Sequence, residues 1–87
     1  MEMIKVDLGK FDSLQELIDA IDLGLDIEFY VYGVRYNISP GDNDYFICVC
    51  PDGDAVYYNS GLEMVNSHKI DGKLLKDLWQ DIGLRSM

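Results

Sequence analysis

The chain predicts an α+β fold: an antiparallel β-meander of about four strands, with an N-terminal helix and one or two C-terminal helices packed on one face. Three observations carry that prediction. Residues 26–40 alternate apolar and polar side chains on both sides of Tyr32-Gly33, as a two-residue hairpin does. Residues 14–21 change to a helical period, and further strand-like runs precede a return of helical spacing near the C-terminus. With 87 residues, 1–87 make a single domain, because neither half would bury enough apolar area to fold alone.

In order, Ile4, Val6 and Leu8 alternate with Lys5 and Asp7 and predict a short strand ending at Gly9, whose place in the sheet the alternation leaves open. Leu14, Leu17, Ile18 and Ile21 then recur at i, i+3, i+4 and i+7, one buried stripe of a helix. Ser13 with Glu16 makes a capping box at its start, and Gly24 supplies the stop. In the hairpin, Tyr32 and Gly33 as loop residues set Val31 opposite Val34, Phe29 opposite Tyr36 and Ile27 opposite Ile38. All six then share one face, and Glu28, Tyr30, Arg35, Asn37 and Ser39 share the other.

Pro40, Gly41 and Asn43 punctuate a loop. Residues 45–50 form a third strand, apolar on both sides and therefore interior to the sheet, with its second face at least partly covered. Pro51-Asp52-Gly53 turns the chain into a fourth strand over 55–59. Ser60 with Glu63 repeats the capping box and opens a short helix through Leu62, Met64 and Val65. After a turn at Asp71-Gly72, a last helix begins near Lys73. Leu74, Leu75, Leu78, Trp79 and Ile82 form its apolar stripe and Gly83 its end. Trp79 is the expected anchor; fully buried, it would cost about 3–5 kcal/mol to trim to Ala.

Composition narrows the function. Sixteen Asp and Glu against seven Lys and Arg give a formal net charge of -9. That balance argues against direct binding of nucleic acid or of anionic membrane, and for a protein partner with a basic surface. No run of signal-peptide or membrane-span length is present, so a cytoplasmic location is expected. Cys48 and Cys50 are too few for a disulfide scaffold and are expected as reduced thiols.

Catalysis finds little material. The one histidine, His68, has no nucleophile or orienting acid at a telling spacing, and no phosphate loop, nucleophile elbow or paired zinc-ligand motif is present. Cys48-x-Cys50 lacks a second ligand pair for zinc, and the Asp-rich loops around Asn43 and Gly53 lack the calcium-loop pattern. The expectation is no enzyme, no metal and no cofactor. Two surfaces stand out instead. Asp12, Glu16, Asp19 and Asp22 line the outer side of the first helix, either as a solvated face or as a ridge presented to a basic partner. Tyr30, Tyr32, Tyr57 and Tyr58 cluster in the predicted sheet. Of its polar face, Tyr30, Arg35 and Tyr57 are of the types enriched at interfaces. The sequence leaves open whether that face meets a partner or lies under a C-terminal segment.

The segments 32–38, Tyr-Gly-Val-Arg-Tyr-Asn-Ile, and 71–79, Asp-Gly-Lys-Leu-Leu-Lys-Asp-Leu-Trp, resemble small uncharacterised acidic proteins of Gram-positive bacteria and their phages. The likeness is a Tyr-Gly hairpin followed by a Gly-Lys opening to a terminal amphipathic helix, and it transfers no site residue. It implies a class that includes inhibitors occupying the nucleic-acid-binding surfaces of host defence proteins. The expected function is accordingly a non-catalytic module binding a basic protein surface, as a nucleic-acid mimic or phage-type inhibitor. The alternative is a structural homodimer or accessory subunit joined through Tyr30, Arg35 and Tyr57.

Overall fold

A computed structural model describes residues 9–86, and the strand predicted around Ile4, Val6 and Leu8 lies outside them. The layering starts at Tyr32-Gly33. Both residues take positive φ, 51° and 78°, as the tight hairpin turn requires. Glycine adopts this backbone freely, whereas tyrosine is strained in it. Contacts from the C-terminal region hold Tyr32 there: its hydroxyl donates to Asp81 Oδ2 at 2.9 Å, and Lys73 Nζ lies 5.8 Å from its ring centroid.

From this turn, β1 (Ile27–Val31) and β2 (Val34–Pro40) pair in the expected register, with Phe29 opposite Tyr36 and Ile27 opposite Ile38. The Phe29 and Tyr36 rings stack with centroids 5.5 Å apart. Val34 departs from expectation. It pairs with buried Val31 but is 40% exposed, because it borders the turn at the end of its strand. β3 (Tyr45–Val49) and β4 (Val56–Tyr58) complete the antiparallel meander; β3 is interior as its two-sided apolarity predicts, but no described helix covers its second face, where Phe46 and Cys48 are half-buried among sheet neighbours.

Two helices begin where the capping boxes place them, α1 (Leu14–Asp22) and α2 (Gly61–Ser67). Ser13 Oγ accepts the Glu16 N–H at 3.1 Å, and Ser60 Oγ accepts the Glu63 N–H at 3.0 Å. Each glutamate reaches back past its serine to the preceding amide, Glu16 to Asp12 and Glu63 to Asn59, both at 2.6 Å.

The C-terminal third corrects the sequence reading. In place of one helix from Lys73 to Ile82 there are β5 (Lys69–Ile70) and β6 (Lys73–Leu74), joined through Asp71-Gly72 with positive φ at both residues. A single turn, α3 (Leu75–Leu78), and a 3-10 turn (Trp79–Asp81) follow. Gly83, expected as a helix stop, opens β7 (Gly83–Ser86), which pairs antiparallel with β1. Among the described residues the sheet thus has five strands, in the order β4-β3-β2-β1-β7. Pairing satisfies the outer backbone groups of β1 that a helix would have left open. A bulge between Glu28 and Phe29 leaves Arg85 as the extra residue, and its Nε lies 3.3 Å from Glu28 Oε1.

One apolar cluster joins the layers: Leu17 and Ile21 of α1, Ile27, Phe29, Ile38 and Ile47 of the sheet, Met64 and Val65 of α2, and Leu75 and Leu78 of α3. All three helices therefore cover the inner face. Trp79 is only half-buried against this cluster, while Leu75, Leu78 and Ile82 are fully inside. The anchor is aliphatic because the short helical turns aim those residues inward and leave the indole at the margin. Leu78→Ala should accordingly cost about 2–5 kcal/mol in urea unfolding and Trp79→Ala clearly less. The reverse order would contradict this packing.

Candidate functional site

The four acidic residues singled out by spacing are all exposed, but the fold gives them different work. Asp12 precedes the cap of α1, and Glu16 closes that cap. Asp19 accepts a bond from Gln15 Nε2 at 2.8 Å on the helix surface. Asp22 is a joint: its Oδ1 accepts the Gly61 N–H at 2.7 Å. The last residue of α1 thereby caps the first turn of α2, which explains a carboxylate at a helix end whose dipole disfavours it. Gly61 permits the approach, since a Cβ there would stand 2.7 Å from the Ile18 carbonyl oxygen. The stripe is therefore part scaffold: Glu16 and Asp22 close helix caps, Asp19 bonds only a neighbour on its own helix, and Asp12 contributes its backbone N–H and leaves its carboxylate the freest of the four.

Two open clefts flank the end of α1, and both reach residues that the helical spacing missed. A groove of about 360 Å³ runs along α1, with Ala20, Leu23 and Leu25 on its apolar side and Glu16 and Asp19 at its rim. A second cleft, of about 330 Å³, lies between the end of α1 and the β2–β3 loop and is lined by Asp22, Asp42 and Asp44. Leu23 lines both. Asp42 and Asp44 read as turn residues in sequence, and only the closing of the hairpin layer against α1 brings them to Asp22.

No described helix packs on the polar sheet face, because residues 83–86 add to the sheet edge and the helices lie opposite. Tyr30 sits directly opposite Arg35 and is 40% exposed; Tyr57 is 57% exposed on edge strand β4, separated from Arg35 by β3. The tyrosine cluster expected from sequence is divided. Tyr32 turns to Asp81, Tyr58 turns to His68, and Tyr57 instead meets Phe46 with ring centroids 5.6 Å apart. Cys48 and Cys50 are free and half-buried. The Cys50 side chain bonds Arg35 and pushes the guanidinium pKa up, while burial raises that of the Cys48 thiol. At the other end of the face, Ser39 Oγ and Asn37 Nδ2 donate to Asp26 Oδ1, each at 2.6 Å, and hold its carboxyl below the ordinary 3.8.

His68 follows α2, where its N–H donates to the Met64 carbonyl at 2.9 Å, and its Nδ1 lies 2.9 Å from the Tyr58 hydroxyl. Burial pushes its pKa below 6.5. A neutral imidazole bonded to a phenol whose own pKa is raised by burial is a packing element. Among the described residues, no group of three or more His, Cys, Asp or Glu is placed to hold a metal ion, and no helix is long and apolar enough to cross a membrane. Glu28–Arg85 is the one ion pair among those residues, so their acidity is scarcely compensated by pairing.

Comparison with known proteins finds no matching family model, curated protein or solved structure.

Two expectations follow from these contacts. Asp22→Ala should lower stability by about 0.5–2 kcal/mol through the lost cap, whereas Asp19→Ala should stay within about 0.5 kcal/mol in the same urea titration. The second concerns His68, which unfolded takes up a proton near 6.5 and folded resists it. The unfolded chain then binds more protons in that interval, so stability is complete above about pH 6.5 and falls as pH drops toward the folded pKa. Unfolding midpoints should decline between about pH 7.5 and about pH 5.5, and His68→Gln should flatten that decline.

Proposed function

We propose that this protein is a non-catalytic module that binds a basic surface of another protein through its carboxylates. The observation that carries the reading is the charge balance: -9 overall, with Glu28 the one acidic side chain in an ion pair among the described residues. Uncompensated surface charge destabilises a free compact state slightly, and an oppositely charged partner relieves it while speeding encounter. Five of the sixteen carboxylates, Glu16, Asp19, Asp22, Asp42 and Asp44, line two clefts that share Leu23, so part of the charge is gathered around the end of α1. A partner that ordinarily holds nucleic acid carries the required surface, and occupying it would make the protein a nucleic-acid mimic of the inhibitor type. A cytoplasmic setting agrees with reduced thiols and a charge-driven partner.

A second reading draws on the polar sheet face, which no described helix covers and where Tyr30 is exposed opposite Arg35 and Tyr57 is exposed on the edge strand beyond β3. Two copies opposed through it would make a homodimer, with acidity serving solubility.

One set of measurements separates them. Capture from a Gram-positive lysate should retain proteins at about 0.05 M salt and release them at about 0.5 M, where charge is screened. Glu16→Gln with Asp19→Asn should weaken that retention. Retention indifferent to both changes would overturn the acidic reading, and a strict monomer in sedimentation, unaltered by Tyr30→Asp, would remove the dimer.

A further inference from the structure

We infer that the surface around Leu23 receives a lysine- or arginine-bearing protein segment that carries one apolar side chain. The inference rests on the acidic-surface reading above and assigns it a place and a partner chemistry. Leu23 is 75% exposed, the highest value among the exposed large hydrophobic residues. The fold uses its backbone, whose N–H donates to the Asp19 carbonyl at 2.9 Å, and leaves its side chain standing clear. No packing need explains a leucine there.

Its surroundings supply the partner's description. Leu23 is the residue common to the two clefts, so it lies on the divide between Glu16 and Asp19 on one side and Asp22, Asp42 and Asp44 on the other. Among the described residues, no lysine, arginine or histidine lines either cleft. An apolar side chain bordered by five carboxylates is an unfavourable free surface on both counts: its hydrocarbon faces water, and the like charges around it repel one another. Cationic groups at the two rims and an apolar group over Leu23 relieve both together. Buried Ala20 and half-buried Leu25 extend the apolar floor along α1, where the aliphatic stem of a lysine or arginine can lie while its charged end reaches Glu16 or Asp19. Nucleic acid and anionic lipid present the wrong charge to the same rims. The outer sheet face differs in kind, since Arg35 stands within it.

The test uses the full chain and two probes: a short lysine peptide with one central leucine, and the same peptide with serine in that place. Amide shifts of the isotope-labelled protein should concentrate on Asp19, Leu23, Gly24, Asp42 and Asp44. The leucine peptide should bind about tenfold more tightly, the ratio supplied by covering part of one aliphatic side chain. Leu23→Ser should erase that preference and leave the charge-driven remainder; its exposure makes the substitution compatible with folding. Glu16→Gln with Asp19→Asn should weaken both peptides together. Equal affinity of the two peptides, or shifts centred on Tyr30, Arg35 and Tyr57, would overturn the assignment while leaving the acidic reading standing. Binding of neither peptide, or binding unchanged at about 0.5 M salt, would overturn both.

Discussion

The pairing of β1 with β2 is the constraint on which the rest of the structure depends. A strand pair has a side-chain period of two, so a slip of one residue would turn Ile27, Phe29, Tyr36 and Ile38 outward together. The turn prevents that slip, and it does so with a tyrosine where glycine or asparagine would be easier. The strain at Tyr32 is offset from a distance, through Asp81 and Lys73. The hairpin and the C-terminal region therefore hold each other in place: one supplies the buried face, and the other pins the turn that defines it.

Much of this was legible because it rests on local chemistry. Alternation about Tyr32-Gly33 specifies a register, and Ser13 with Glu16 or Ser60 with Glu63 specifies a helix start, with no knowledge of the remaining chain. The C-terminal third departs from its local pattern for an equally physical reason. Leu75, Leu78 and Ile82 satisfy a helical stripe, yet Ile82 is extended and reaches the core by another path. Gly83-Leu84-Arg85-Ser86 contains no β-branched or aromatic residue and too few positions to display a period, so nothing local marks β7. What places it is the open edge of β1, a property of the assembled sheet.

The acidic surface shows the same division. Helical spacing identified Asp12, Glu16, Asp19 and Asp22, but it could not separate a carboxylate that closes a cap from one that faces only solvent. That distinction depends on Gly61, thirty-nine residues from Asp22 in sequence and in contact with it in space. Leu23 was passed over because it falls outside the buried stripe of α1, and Asp42 and Asp44 because their loop is ordinary turn chemistry. Their significance is relational, and it emerges only once α1 and the β2–β3 loop are side by side.

The sheet ends on one side in β4, a strand of only three residues. Its far rim is exposed and carries Val56 and Tyr57, side chains that favour extended stacking between molecules. So brief a ladder gives an incoming chain few backbone groups to copy, and Asp52 and Asp54 just upstream add repulsion against an identical neighbour. Shortening the last rung thus limits how far an exposed apolar edge can template the stacking of further chains.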